Sequence, residues 1–314
     1  MNRLPKKAFN QIRRWVYQYA RQFELVQWQH YFENGSKEAM VKALSFFQNE
    51  DGGFSGMDPD CSNPGSSPWN TVNEAYGYLV EWECAGKSSP IMQGIIRYVA
   101  NTDHFTEHGW YWAVPSNNDY PCEDYMRFPN SPWFPDDWPP EKINNGELTD
   151  FVLTHFNKDD EVYKKTLRMI KYRLSIMHTY VDYCKYANGI EQGMEAWDWR
   201  KMIDCIHRHK IISGEEYEHI ASDFLQIVER SPLKDEGILL ATRDWRNNKN
   251  PNAPQQIDFD GLIKELSAGN KWNDGGLLGK NKKNTPMTVG EAWWPIISAI
   301  GKLRKLKEHD RIEI

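Results

Sequence analysis

Two carboxylates stand at matching places in this chain. Glu74 and Glu291 occupy the same position in Thr71-Val-Asn-Glu-Ala75 and Thr288-Val-Gly-Glu-Ala292. A carboxyl group held against an apolar surface can donate or accept a proton. Tryptophan offers that surface: the chain has 14 Trp, more than a compact core requires, and suggests a deep aromatic-lined space. Trp69, Tyr78, Trp110, Trp112, Trp133, Trp293 and Trp294 are the candidates to line it. Asp119, Glu123 and Asp124 add loop carboxylates. A pair of carboxylates beside stacked indoles suits glycan cleavage, but no spacing fixes their separation. Glu74 and Glu291 also have a purely local reading, because Thr followed three residues later by Glu is a capping box. No Ser, Cys or His stands in a recognisable nucleophile motif.

The elements that position these groups read as helices. Apolar residues recur at helical spacing from Lys7 to Glu24 (Ile12, Val16, Tyr19, Phe23) and from Lys37 to Asn49 (Met40, Ala43, Leu44, Phe47). Further helices are predicted over 71–84, 90–101, 147–156, 161–178, 194–208, 214–228, 258–268 and 290–307. Ser213-Gly-Glu-Glu216 and Asn157-Lys-Asp-Asp160 read as helix starts. No period-two run predicts a strand. Loops are predicted over 52–68, 102–145 and 247–256. The middle one is long and aromatic, which predicts a loop folded over something rather than a linker.

Composition sets the outer bounds. The chain has 314 residues, 40% of them hydrophobic, and a formal charge of −6. A single domain with a sizeable core is expected over 1–314. The basic tail Lys302–Lys307 is followed by Glu308, Asp310 and Glu313, so it reads as a solvated helix face and no nucleic-acid partner is expected. No run is long and apolar enough for a membrane span, and no secretory leader is expected. Cys61, Cys84, Cys122, Cys184 and Cys205 form no Cys-x-x-Cys pair. Their odd, scattered set predicts reduced thiols and a cytoplasmic location.

The two glutamates belong to a longer repeat. Asp51-Gly-Gly-Phe-Ser-Gly56 precedes the first copy, and Asp274-Gly-Gly-Leu-Leu-Gly279 precedes the second. An aromatic residue comes before each turn: Phe46 and Phe47, then Trp272. His108-Gly-Trp-Tyr-Trp112 is a weaker relative. Asp and paired Gly suit a tight turn with close backbone approach. Copies near opposite ends of a chain would meet in a closed ring.

At these residues the sequence resembles the terpenoid-cyclase and protein-prenyltransferase superfamily. Gln48-Asn-Glu-Asp-Gly-Gly-Phe54 is similar to its Gln-x-x-Asp-Gly-Gly-Phe/Trp motif, and Asn270–Leu277 is a worn copy. Trp112–Pro121 and Ser131-Pro-Trp-Phe134 also resemble uncharacterised bacterial single-domain members. The resemblance implies an all-α fold: an α/α toroid of about six helical hairpins around a central cavity, with 102–145 as a covering loop.

The resemblance also frames the chemistry. Squalene-type cyclases protonate an alkene with an Asp-x-Asp-Asp motif that this chain lacks. Asp58-Pro-Asp60 and Asp258-Phe-Asp260 come nearest, and they read as turn and cap. Magnesium-dependent prenyl chemistry needs acidic helix faces, whereas Asp136-Asp137 and Asp159-Asp160 read as solvated or capping pairs. Protein prenyltransferases hold zinc with Asp, Cys and His. Asp182 and Cys184 with His178, His207 or His209 could supply that set, but a helix would point Asp182 and Cys184 apart. The expectation is therefore an apolar, isoprenoid-like small molecule bound in an aromatic cavity, with Glu74 and Glu291 as its polar groups and without a metal or cofactor. A glycan hydrolase or lyase and a non-catalytic scaffold that binds a peptide or protein are the alternatives.

Overall fold

The computed structural model describes residues 2–128, 146–247, 257–268 and 289–313. Among the described residues there are thirteen α-helices and no strand. They are α1 (Lys6–Tyr19), α2 (Gln22–Glu33), α3 (Lys37–Ser45), α4 (Glu74–Glu81), α5 (Pro90–Asn101), α6 (Gly146–His155), α7 (Glu161–Ser175), α8 (Tyr180–Tyr186), α9 (Gly189–Arg208), α10 (Gly214–Arg230), α11 (Glu236–Asn247), α12 (Phe259–Ser267) and α13 (Val289–Glu308). The predicted all-α class holds. None of these helices is long and apolar enough to cross a membrane.

The chain divides into two compact units. The first comprises Met1–Phe47, Asp58–Cys61 and Pro254–Ile314; the second comprises Gln48–Met57 and Ser62–Ala253.

In the first unit, α1 buries Ala8, Phe9, Ile12 and Val16, one face of a helix. They pack with Trp28 of α2 and with Ile296, Ile300 and Leu303 of α13. Phe9 and Trp28 stack at 5.3 Å. The two ends of the chain meet here: Leu4 N donates to Arg311 O (2.8 Å), and Glu313 N donates to Leu4 O (3.0 Å). The predicted 7–24 helix is two helices. Ala20 and Arg21 are extended, and the Arg21 guanidinium pairs with the buried Glu24 at the start of α2, its Nε 3.0 Å from both carboxylate oxygens. A carboxylate there suits the helix dipole.

In the second unit, α8, α9, α10 and α11 share a core of Tyr180, Trp199, Ile203, Phe224, Val228 and Ile238. Two of these helices carry full capping boxes, Asn188 with Glu191 and Ser213 with Glu216. The second is the start predicted from sequence. The Asn157–Asp160 start is shifted: α7 begins after Asp160, whose side chain accepts from Asn157 N (2.7 Å) in the preceding turn and does not cap the helix. Helices α2, α8 and α11 are absent from the predicted set.

The cysteines correct one expectation. Cys84, Cys184 and Cys205 are free thiols, but Cys61 and Cys122 are disulfide-bonded. A disulfide persists in oxidising surroundings, so the argument from cysteine usage to a reducing cytoplasm loses its basis. No short-range motif marks either cysteine, and their scattered spacing concealed the oxidation.

Candidate functional site

The Asp-Gly-Gly-Phe turn is built as the repeat suggests. Gly53 N donates to Asp51 Oδ1 (2.8 Å), and Asn49 N donates to Gly53 O (2.8 Å). Gly52 has φ +92°, and a Cβ there would lie 2.0 Å from Gly94 O of α5. Only glycine satisfies both conditions. Gln48, the first residue of the motif, seals the contact: its Nε2 donates to Gly52 O (3.0 Å) and Ile91 O (2.9 Å). The turn thus docks on α5 by backbone contact.

The helix after the turn begins differently from the prediction. Pro68–Asn73 is a π-helical turn that leads into α4, with Val72 N donating to Ser67 O at 3.0 Å. Thr71 lies inside this turn. Its hydroxyl donates to Phe54 O and to Ser67 O (2.8 Å), which ties the glycine turn to the helix. The predicted Thr71–Glu74 capping box is therefore not formed, because the helix has already started at Pro68. Glu74 is left to its side-chain neighbours. Single π turns are frequent at functional positions.

Four candidate residues come together in pairs here. Trp69 of the π turn stacks on Trp112 with ring centroids 5.0 Å apart at 30°. Tyr78 Oη donates to Glu74 Oε1 at 3.1 Å, and the Tyr78 ring lies 5.2 Å from Trp82. Trp69, Trp112, Glu74 and Tyr78 are all half-buried, so each retains surface for a ligand. Asn73 Oδ1, next to the carboxylate, is buried with no hydrogen-bond partner among the described residues.

A buried amide network joins the segments that carry the two indoles. Asn63 Nδ2 donates to Ser116 Oγ (2.8 Å) and Asn117 Oδ1 (2.7 Å), and Asn117 Nδ2 donates to Met126 O (2.9 Å). Arg127 donates to Asn117 O (3.0 Å), Tyr120 O (3.1 Å) and Cys122 O (3.0 Å). This fixes the described part of the long loop against the segment that carries Trp69. Sequence reasoning passed over Asn63, Asn117 and Arg127, since Asn63 meets side chains more than fifty positions away and the other two bond loop carbonyls that follow no helical or strand spacing.

The other candidates lie elsewhere. Trp110 is fully buried and stacks on Phe105 at 3.9 Å, in the core of the His108–Trp112 turn. Asp119 is exposed at the end of a short 3-10 turn. Trp293 lies under the Arg21 guanidinium at 4.2 Å, and Trp294 Nε1 donates to Asp60 Oδ1 at 2.7 Å, both within the first unit. Asp258 caps α12 through Gly261 N (2.8 Å) as expected. The side chain of Glu291 lies outside what is described. So do Trp133, Asp136, Asp137 and the whole second glycine turn.

The Asp182–Cys184 zinc set does not assemble. Asp182 is exposed and pairs with Lys185 at 2.6 Å, while Cys184 faces the core, where burial pushes its thiol up to about 11. The helix points them apart, as their spacing requires. His178 is exposed, and His207 stacks on Tyr217 at 4.4 Å.

His209 instead belongs to a different cluster. Its Nε2 is 2.7 Å from Asp150 Oδ1, and Cys205 Sγ is 3.7 Å from that same oxygen. Arg208 also donates to it, at 2.6 Å. Cys205 is 1% exposed, and burial is the largest cause that pushes its thiol up to about 12. Neither Asp150 nor Cys205 was a candidate from sequence, although Cys205 and His209 show the four-residue spacing of one helix face.

No protein-family model matches this chain, and neither a curated protein nor a solved structure matches it.

Proposed function

We propose that this chain binds and transforms an apolar, isoprenoid-like small molecule against the Trp69–Trp112 wall, with Glu74 as its acid. The observation that carries the reading is the half-buried Trp69–Trp112 indole pair, with the Glu74–Tyr78 hydrogen bond on the helical segment that continues from Trp69. Half-exposed indole faces gain about 25 cal/mol for each Å² that an apolar ligand covers. The same faces stabilise a cation. In this reading the Glu74 carboxylic acid gives its proton to an alkene carbon. The carbocation then loses a neighbouring proton to the carboxylate, so that the net change is an isomerisation. Tyr78 orients the carboxyl group by donating to it.

The fold proposed with this function is an α/α toroid. Its support is the all-helical chain, the paired termini at Leu4 and Arg311–Glu313, and the glycine turn docked on α5. A glycan enzyme is the weaker reading. The amides that flank the indoles, Asn63 and Asn117, are spent on internal hydrogen bonds and do not present themselves to sugar hydroxyls.

The test is a calorimetric comparison of farnesol with a β-linked oligosaccharide, followed by product analysis for Glu74→Gln. Farnesol binding in both proteins, with product formed only by the wild type, is expected. Oligosaccharide binding alone would transfer the site to the glycan reading. Binding of neither would leave a scaffold.

A further inference from the structure

The α6–α9 contact brings three metal-ligating side chains together. Asp150 stands on α6, Cys205 lies in the last turn of α9, and His209, four residues on, is the C-cap residue of that helix. Their ligand atoms all lie within 4.8 Å of one another. Glycine makes this proximity possible. A Cβ on Gly146 of α6 would lie 2.5 Å from the Lys201 Cβ and 3.1 Å from the Met202 N of α9. The positions then advance in step, Gly146 to Asp150 along α6 and Lys201 to Cys205 along α9, with His209 at the end of that helix.

We infer that Asp150, Cys205 and His209 bind a zinc-class divalent transition metal. One oxygen, one sulfur and one nitrogen make a mixed set that suits zinc and cobalt, and it excludes magnesium and calcium, which take oxygen. Tetrahedral bonds of about 2.0–2.3 Å set ligand atoms roughly 3.3–3.8 Å apart. The Cys205–Asp150 separation of 3.7 Å already fits. The His209–Asp150 hydrogen bond of 2.7 Å opens by about half an ångström as both atoms turn to the ion. Three protein ligands leave one position for water or substrate. Arg208 now donates to the same Oδ1 of Asp150 at 2.6 Å; with its side chain 62% exposed, it can shift to the second oxygen when an ion takes the first and so orient the carboxylate.

An Arg208–Asp150–His209 ion network would explain those three residues without a metal. The Cys205 thiol joins that network by donating to the same Asp150 oxygen, and it adds the soft ligand, 1% exposed, that an ion network alone does not require. The inference does not depend on the Trp69–Trp112 reading and shares no residue with it.

The test uses the full chain, stripped with chelator and titrated with Co²⁺ while absorbance is recorded. A 1:1 end point with a thiolate-to-cobalt charge-transfer band and the visible bands of four-coordinate cobalt is expected. Cys205→Ser abolishes the charge-transfer band, whereas Cys84→Ser and Cys184→Ser retain it. Asp150→Asn keeps hydrogen bonds to Arg208 and His209, so its fold is conserved; it weakens binding by ten-fold or more. His209→Gln does the same. A wild-type protein without the band, a band that survives in Cys205→Ser, or unchanged affinity in Asp150→Asn would each overturn the assignment.

Discussion

Trp69 and Trp112 stack at 5.0 Å although no short-range pattern links them. One rides on a π turn and the other on a loop. Two polar devices hold the carriers of the pair: the Thr71 hydroxyl, which bonds Phe54 O and Ser67 O, and the Asn63–Asn117 side-chain bond at 2.7 Å. An aromatic pair of this kind contributes about 0.5–1.5 kcal/mol beyond area burial. That is too little to order two loops, so the polar network orders the pair and not the reverse.

That order of cause makes Gly52 sensitive. Its φ is +92°, and any Cβ at this position would meet Gly94 O at 2.0 Å, which leaves no room for alanine. Gly52→Ala is expected to cost more than about 2 kcal/mol, from strain and from the forced separation of the turn and α5. Urea unfolding checks this. Gly77, where a Cβ would meet nothing within 4 Å, is the control, and Gly77→Ala in α4 is expected to stabilise by about 0.5–1 kcal/mol.

Asp198 gives the second unit a pH dependence. It is buried, and its Oδ1 has no hydrogen-bond partner among the described residues. Burial raises its carboxyl well above the usual range, Glu195 adds to this, and Arg173 opposes it. The folded state therefore holds a proton that the unfolded chain has already released. Stability is full below the ordinary carboxylate range and falls as pH rises through the elevated folded value. The slope is at most about 1.4 kcal/mol per pH unit. Asp198→Asn removes that slope and gains on the wild type between pH 5 and pH 8 in urea midpoints. A variant less stable by the same margin at both pH values would make Asp198 a charged partner of Arg173 instead.

Oxidation of Cys61 and Cys122 gives the chain a redox-dependent stability. Reductant is expected to lower stability by about 2–4 kcal/mol. Thermal melts with and without dithiothreitol decide it.

The legible part of the fold is the local part. Helix α5 follows from Pro90 at its start and its apolar stripe, and its observed span of Pro90–Asn101 is the predicted one. The Ser213–Glu216 box and the Asp258 cap follow for the same reason, since side chain and backbone lie within four residues. The break at Ala20–Arg21 did not show. The apolar spacing runs through it unchanged, and it is held by a buried Arg21–Glu24 pair. In the candidate site, Glu74, Tyr78 and the indoles stand out by residue type. The Asn63–Asn117 bond and the approach of Asp150 to Cys205 join residues dozens of positions apart, and no spacing rule reaches that far.

The most direct measurement is farnesol affinity, read by equilibrium dialysis, in Trp69→Ala and Trp112→Ala beside the wild type. Trp197→Ala, which removes a half-exposed indole on α9, serves as the control. Each of the first two should weaken binding by ten-fold or more, roughly the loss of one well-covered indole face, while the control binds as the wild type does. Equal affinity in all four proteins would contradict the aromatic wall on which the functional proposal stands.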